Sequence, residues 1–213
     1  MNFRDSNKGI GQRTKVKKQP EKLYILAYEG NETEPQYYQA VKEHLRHTDT
    51  VIKILSLKRP RLDTMSAPKH VFNQLKNYKN SHHTTPQDEF WMIIDRDRWK
   101  LEEWLEKCQE EKNFFVALTN PCFEFWLLLH HFDVTNFKEE DLLQNKKLNK
   151  KKRFIDQYLN KNLEGGYQKN NIQAERFLPH LERAIAQAQL FGTNDLLTQL
   201  GSDNYKLLEK LLG

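Results

Sequence analysis

The chain has 213 residues, of which 38% are hydrophobic and 30% charged, with 12 Phe, 8 Tyr and 4 Trp. This length fits one domain of ordinary to large size, and the aromatic content is sufficient for a packed core. No apolar run approaches the ~20 residues of a membrane-spanning helix, which argues against an integral membrane protein. Cys108 and Cys122 have no metal-ligand spacing, so we expect buried thiols in a reducing cytoplasm.

The net charge of +5 is concentrated at the N-terminus. Residues 1–22 carry seven Lys or Arg against Asp5 and Glu21, so the rest of the chain sums to zero. This stretch has no apolar core, and we therefore expect no signal peptide. It also lacks periodicity, which predicts a disordered tail. Such a tail either attracts phosphate groups or keeps the protein in solution, and the sequence leaves both roles open.

From Lys22 onward, strand and helix patterns alternate. Short apolar runs predict strands at 22–28, 50–57, 90–95 and 114–118. A helical pattern follows each run. The first helix is marked by Tyr37, Tyr38, Val41 and Leu45, the second by Val71, Phe72, Leu75 and Tyr78, and the third by Leu101, Trp104, Leu105 and Cys108. The fourth is the segment 120–132, opened by Asn120. Short crossovers of this kind require parallel strands with helices on both faces. The sequence therefore predicts an α/β fold with a sheet of four strands.

The last third of the chain shows no convincing strand. Helical patterns cover 137–144, 151–163, 174–191 and 204–212, with glycines between some of them. We therefore predict three parts: a basic tail at 1–22, an α/β core at 23–133, and an α-helical extension at 134–213 that packs on the core.

Acidic residues end two of the predicted strands. Glu29 follows the first strand directly before Gly30, and Asp95 and Asp97 end the third. Because parallel strands end along one edge of a sheet, where such folds bind ligands, these carboxylates should lie close together. A lone Asp-x-Asp pair is more simply a turn, but the matching position of Glu29 favours a Mg²⁺ or Mn²⁺ site acting on a phosphodiester. Arg96, between the aspartates, should face the opposite side of the sheet.

Three motifs, taken in their order and spacing, resemble a known family. A strand-ending Glu-Gly followed two strands later by Asp-x-Asp is similar to the Toprim fold of topoisomerases, primases and OLD-type nucleases. EGNETEPQYY, IIDRDRW and TNPCFEFWLLLHHF together resemble the RloB-like family, a Toprim-related group encoded in prokaryotic restriction and phage-defence loci. The resemblance runs from about Lys22 to the C-terminus. It implies a Toprim-like, four-stranded, mainly parallel sheet with flanking helices and a C-terminal helical extension.

The resemblance also implies roles for individual acidic residues. Glu29 corresponds to the Toprim glutamate, a general acid or base or a metal ligand, and Asp95 and Asp97 correspond to the carboxylates that bind Mg²⁺. Glu34, in the Thr-Glu-Pro element, is either a further catalytic carboxylate or a first-turn helix charge. Glu124 lies among aromatic residues, where an unpaired carboxylate is unfavourable. We expect it to face the acidic edge or to pair with an Arg.

Basic residues near the predicted site are candidates for contacts with phosphate groups. The run KKLNKKKR at 146–153 is either a solvated helix face or a nucleic-acid contact. Lys169 lies in a stretch that resembles the family's C-terminal region, and it is either a surface lysine or a contact to the scissile phosphate. The candidates for nucleic-acid binding are Lys58, Arg59, Lys150, Lys151, Lys152, Arg153 and Lys169. His130 matches a family histidine, for which we expect a structural role.

These motifs predict a divalent-metal-dependent nuclease of prokaryotic anti-phage defence, acting in the cytoplasm on DNA or on RNA, tRNA included. The alternative is a non-catalytic nucleic-acid-binding subunit that works with a partner ATPase, which the family context implies is encoded nearby. Primase-type nucleotidyl transfer is a third alternative, disfavoured because no nucleotide-binding element is present. No P-loop, GxGxxG, zinc spacing or GxSxG occurs in the sequence, which argues against an NTPase, a dehydrogenase and a serine hydrolase.

Overall fold

The computed structural model describes residues 22–46, 52–57, 68–96, 100–150 and 152–213. Within these segments, one sheet contains the strands β1 (Lys22–Tyr28), β2 (Ile52–Ser56), β3 (Glu89–Asp95), β4 (Phe114–Asn120) and β5 (Gly201–Ser202). The order across the sheet is β2-β1-β3-β4-β5. Strands β1 to β4 are parallel, and β5 is antiparallel to β4. This arrangement agrees with a Toprim-like fold.

Helices cover both faces of the sheet. They are α1 (Thr33–Leu45), α2 (Pro68–Ser81), α3 (Glu102–Glu110), α4 (Phe123–His131), α5 (Glu139–Gln144), α6 (Phe154–Asn162), α7 (Leu181–Gln189) and α8 (Asn204–Leu212). Among the residues that the structure describes, no helix has the length and apolar character needed to cross a membrane.

The predicted α/β class and its four parallel strands are confirmed, and three details of the prediction were wrong. The sheet has a fifth strand, Gly201–Ser202, which is too short to show any periodicity in the sequence. The helix predicted to open at Asn120 begins at Phe123, because β4 continues through Asn120 and pairs there with β5. The helix predicted over 174–191 consists of two 3-10 turns followed by α7, and Pro179 in the second turn lacks the N–H of a continuous helix.

Alternation along the strands divides the apolar side chains between two faces. In β1, Tyr24, Leu26 and Tyr28 belong to one apolar core, whereas Ile25 and Ala27 belong to the other. The second core is covered by α2 and α3. The first core contains residues of α1 and α4 together with residues of α6, α7 and α8. Helices from the last third of the chain therefore share one core with the sheet.

The helix α4 lies in the middle of this first core. Its residues from Phe125 to Leu129 have no exposed surface. A helix that is apolar on every side has to be covered on every side. The sheet strands β4 and β5 and the helices α6 and α7 all contact it. The position of Glu124, in the first turn of α4, is therefore set by packing from both the sheet and the C-terminal helices.

His130 is a structural residue by its contacts. It is fully buried, with Nδ1 2.9 Å from the carbonyl oxygen of Trp126 and Nε2 3.0 Å from the Tyr37 hydroxyl. A carbonyl can only accept a hydrogen bond, so Nδ1 carries the proton and Nε2 accepts from Tyr37. The neutral imidazole therefore links α4 to α1, in agreement with the role expected for it.

We expect this buried histidine to make the free energy of unfolding depend on pH. Burial lowers the pKa of His130 to about 3, whereas in the unfolded chain its pKa is about 6.5. Between pH 3 and pH 6.5, His130 is protonated in the unfolded chain but neutral in the folded protein. Its contribution to the free energy of unfolding is therefore fully present above about pH 6.5 and is lost as the pH falls. The free energy of unfolding, measured by urea denaturation, should decrease between pH 7 and pH 5. This decrease should be about 2 kcal/mol smaller in His130→Gln than in the wild type. Equal decreases in the two proteins would contradict this assignment.

Candidate functional site

A cleft of about 1150 Å³ opens where β1 and β3 end. The loop after β1 and the first turns of α1 and α4 form part of its wall, and the segment 169–170 completes it. Five acidic residues are part of the lining: Glu29, Glu32, Glu34, Asp95 and Glu124. Four of these were candidates from the sequence, and the structure brings them together. Asp97 lies outside the described residues, and Glu32 was not expected.

The strand pairing places Glu29 beside Asp95. Because Tyr28 of β1 is in register with Ile93 of β3, the two strands end side by side. The Glu29 N–H donates to the Ile93 carbonyl at 2.9 Å, and the Asp95 N–H donates to Glu29 Oε2 at 3.0 Å. The Glu29 carboxylate is therefore fixed at the end of β3, as the parallel sheet predicted.

Two other acidic side chains of the cleft, Glu34 and Glu124, also accept hydrogen bonds from the protein. Glu34 Oε1 accepts from the Gly30 N–H at 3.1 Å, and the Phe123 N–H at the start of α4 partly offsets the rise in the pKa of Asp95. Glu124 Oε1 accepts from the Tyr167 hydroxyl at 2.9 Å. The carboxylates of Glu29, Glu34 and Glu124 are thus each held by a donor of their own. In the described parts of the chain, no three His, Cys, Asp or Glu side chains converge to hold one metal ion.

The cleft nevertheless carries negative charge that is only partly compensated. Burial raises the pKa of Glu34 to about 7, and Glu124 and Glu29 add to the effect by repulsion. Burial, with repulsion from Glu34, Glu124 and Glu29, also raises the pKa of Asp95 well above its usual range. Carboxylate oxygens are the donors that hard divalent cations prefer, and a cation would relieve this repulsion. The donor set of the cleft therefore fits Mg²⁺ or Mn²⁺.

Glu124 differs from its neighbours because it has a cationic partner. Lys169 Nζ lies 2.9 Å from Glu124 Oε1 and 3.3 Å from Asp156 Oδ1. Burial alone would raise the pKa of Glu124, but Lys169 and the Tyr167 hydroxyl outweigh it, and that pKa is lowered. Both expectations for Glu124 are partly met, since it faces the cleft and is ion-paired, but the partner is a lysine. Asp156 was missed by sequence reasoning, because nothing in its spacing links α6 to this site.

The segment that carries Lys169 is fixed to the start of α1. The Thr33 hydroxyl donates to the Lys169 carbonyl at 3.2 Å, and the Ile172 N–H donates to Gln36 Oε1 at 3.3 Å. Both α1 residues flank Glu34, so the extension and the first helix together form one side of the cleft. The sequence resemblance pointed to Lys169, but its docking partners could not be predicted from spacing.

The described residues of the basic run, 146–150 and 152–153, form the two arms of a hairpin rather than a helix face. Lys147 and Arg153 form an antiparallel bridge, and the Leu148 N–H donates to the Lys152 carbonyl at 3.0 Å. Lys150, at the turn, is exposed. At the base of the hairpin, Asn145 Oδ1 accepts from the Ile155 N–H of α6 at 3.0 Å, and its Nδ2 donates to Cys122 Sγ, directly before α4, at 3.3 Å. Three other nucleic-acid candidates, Lys58, Arg59 and Lys151, lie outside the described residues.

Arg96 faces away from the cleft, as the strand alternation predicted. Its Nε donates to the Leu197 carbonyl at 2.7 Å. Leu197 packs against the core on the α2 and α3 side of the sheet, opposite to the side that contains α4. The guanidinium is therefore not among the groups that line the acidic cleft.

We expect Gly30→Ala to displace the Glu34 carboxylate. A Cβ at Gly30 would fall far inside van der Waals contact with both Glu34 carboxylate oxygens. The carboxylate would have to leave the Gly30 N–H, and losing this buried hydrogen bond should lower the free energy of unfolding by about 1–3 kcal/mol. In a Glu34→Ala background, the same substitution should cost less than about 0.5 kcal/mol, because the clash is gone. Urea denaturation of the four proteins gives both values, and an equal cost in both backgrounds would contradict the expectation.

The order of the strands and the acidic residues at their ends are consistent with a Toprim-like α/β arrangement. The sequence model described as "RloB-like protein" matches residues 24–211. The chain therefore belongs to the RloB-like family, and the resemblance drawn from the three sequence motifs is confirmed. A search of the curated proteins and a search of the solved structures each gave no match.

Proposed function

We propose that this protein is a divalent-metal-dependent nuclease that hydrolyses phosphodiester bonds of DNA or RNA. The observation that supports it best is the gathering of five acidic side chains in one cleft at the ends of parallel strands. Glu29 and Glu124 repel both Glu34 and Asp95, and a bound cation would relieve this repulsion. Membership of the RloB-like family supports a role in prokaryotic anti-phage defence, and the same context suggests a partner ATPase.

In this proposal the residues of the cleft have different roles in metal binding and in hydrolysis. Glu29, Asp95 and Asp97 would hold Mg²⁺ or Mn²⁺, which when bound neutralises phosphate charge and orients the phosphodiester. Glu29 either completes this ligand set or accepts a proton from the attacking water. Glu34 adds a carboxylate on the α1 side. Glu124 fixes the Lys169 ammonium at the cleft, where it can contact a phosphate oxygen.

The test is a cleavage assay with labelled single-stranded DNA, double-stranded DNA and tRNA, run with Mg²⁺, with Mn²⁺ and with EDTA. Cleavage should require a metal ion and should be lost in Glu29→Gln. Full cleavage in EDTA would refute the metal requirement, and full cleavage by Glu29→Gln would refute the site. The substrate that is cut distinguishes a DNA nuclease from an RNA nuclease.

One observation favours the alternative of a non-catalytic nucleic-acid-binding subunit. Glu29, Glu34 and Glu124 already have protein donors, and the described residues contain no preassembled metal site. In that case nucleic-acid binding should persist in EDTA, and no cleavage should occur under any condition of the assay.

We expect the basic hairpin to contribute electrostatically to nucleic-acid binding. Replacing both Lys150 and Lys152 with Ala should weaken binding to DNA and RNA of any sequence. The slope of log K against log salt concentration should become shallower by about 2, since each lysine that contacts a phosphate contributes roughly 1. Fluorescence anisotropy over a range of salt concentrations measures the slope. Lys161→Ala, an exposed lysine on α6, is the matched control, and an equal change in the control would remove the hairpin from the interface.

A further inference from the structure

A cluster of basic side chains lies at the end of α4 that is farthest from the acidic cleft. His131 is the last residue of α4, and the centroid of its ring lies 4.6 Å from that of His180. Burial lowers the pKa of His131 to about 4, and repulsion from three basic neighbours adds to the effect: His180, Arg176 and Arg183. We refer to His131 and these three neighbours as the His/Arg cluster.

The two arginines of the His/Arg cluster carry charge that the protein does not pair. In the described parts of the chain, no salt bridge includes Arg176 or Arg183. Arg176 Nη1 donates to the Glu164 carbonyl at 3.1 Å, which is a neutral acceptor. Arg183 attracts Asp133, but the Asp133 carboxylate already accepts from the Thr135 N–H at 3.0 Å and from the Thr135 hydroxyl at 2.7 Å. The cluster therefore has an excess of positive charge.

Two polar atoms of the cluster are also buried without a hydrogen-bond partner among the described residues. They are His131 Nε2 and Arg176 Nε. Buried polar groups in folded proteins are nearly always paired, with protein, water or a ligand. The ring that contacts His131 in the cluster belongs to His180, which is exposed. A ligand that arrives at this surface would therefore reach His131 by displacing the His180 side chain.

The donors of the cluster match an anion with several oxygen atoms. Guanidinium groups bind phosphate through two N–H donors in a fixed geometry, and a protonated imidazole donates from both ring nitrogens. The donors come from α4, from α7 and from the segment between Ala174 and His180. A carboxylate offers two oxygens, whereas a phosphate group offers oxygens in several directions and carries more charge. Phosphate therefore fits this donor set better than a carboxylate does.

We propose that the His/Arg cluster is a phosphate-binding site on the C-terminal extension, separate from the acidic cleft. Seven helical residues separate Glu124 from His131 on α4, about 10 Å, which spans roughly three phosphates along one strand of B-DNA. Lys169 is the one Lys or Arg that lines the cleft in the described structure, so a bound nucleic acid needs basic groups outside it. The phosphate belongs to such a nucleic acid, a source that rests on the proposed function, or is a free phosphate ion.

The first experiment follows the histidine side chains of the full-length wild-type chain by NMR while inorganic phosphate is added at constant pH and ionic strength. The resonances of His131 and His180 should shift until they saturate, because a bound anion favours protonation of both rings. His82 and His83, which are exposed directly after α2, should show no saturable shift. His131→Gln and His180→Gln assign the two resonances, each by the signal that it lacks. Absence of saturation at His131 and His180, or an equal response at His82 and His83, overturns the site.

The second experiment removes two exposed members of the cluster together, in the double variant His180→Gln/Arg183→Gln. This variant should bind inorganic phosphate at least about tenfold more weakly, measured on the His131 resonance, which is the scale of one charge-assisted hydrogen bond. The matched control, Lys69→Gln/His83→Gln, removes two exposed basic residues on the α2 side of the sheet and should bind phosphate like the wild type. Equal phosphate affinity in the cluster variant and the wild type overturns the site.

Fluorescence anisotropy in EDTA, with single-stranded DNA and with tRNA, distinguishes the two sources of phosphate. If a nucleic acid supplies it, His180→Gln/Arg183→Gln should bind these ligands several-fold more weakly, and the slope of log K against log salt concentration should become shallower by roughly 1. If nucleic-acid affinity is unchanged while inorganic phosphate still saturates the wild-type site, the site stands and its ligand is the free ion. Absence of nucleic-acid binding by the wild type overturns the proposed function, whereas the phosphate titration alone decides the His/Arg cluster.

Discussion

Asp95→Asn should reduce metal-dependent cleavage by at least about a hundredfold while the protein remains folded. The substitution keeps the size of the side chain and removes one of the carboxylates proposed to hold the metal ion. Burial and repulsion from Glu34, Glu124 and Glu29 raise the pKa of Asp95, so its charged form is disfavoured in the cleft. A neutral side chain should therefore leave the melting temperature unchanged or higher.

Cleavage and thermal unfolding are measured on the same preparations of Asp95→Asn. Asp141→Asn, an exposed acid on α5, controls for the loss of one negative charge and should match the wild type in both measurements. Undiminished cleavage by Asp95→Asn would refute the assignment of Asp95. If Asp95→Asn instead melts several degrees below the wild type, Asp95 has a structural role.

Leu128→Ala should lower the free energy of unfolding by about 2–5 kcal/mol, the range for a leucine removed from a packed core. Leu128 lies on α4 and has no exposed surface. The sheet and the C-terminal helices both pack on α4, so a cavity here weakens both at once.

Urea denaturation measures this loss, with Leu190→Ala as the matched control. Leu190 is 64% exposed, and its truncation should change the free energy of unfolding by less than about 0.5 kcal/mol. Both variants should unfold in one transition by fluorescence and by circular dichroism, because the α/β core and the extension share an apolar core. Two separate transitions would show that the extension is an independent domain.

The parts of the fold that follow a strong local pattern could be predicted from the sequence. The apolar runs located the four parallel strands, and their order in the chain placed Glu29 and Asp95 at one edge. Glu34 and Glu124 could be proposed because motif positions single them out. Glu32 lies in the same motif as Glu34 but was not singled out, and the structure places it as an exposed residue directly before α1.

Contacts between distant parts of the chain could not be predicted from the sequence. Tyr167 and Lys169 meet Glu124 across more than forty positions of the chain, and Asp156 joins them from a third element. The strand β5 is two residues long and exists because β4 offers an edge to pair with, not because of its own propensity. The basic run was recognised by its charge, but charge alone did not distinguish a hairpin from a helix.

The docking of the segment around Lys169 on α1 has a consequence for biosynthesis. The wall of the cleft uses residues from the start of the chain, from the start of α4 and from positions 169–170. The strand ends that carry Glu29 and Asp95 leave the ribosome long before that last segment does. The cleft is therefore completed late in translation, once the segment at 169–170 has left the ribosome and docked on α1.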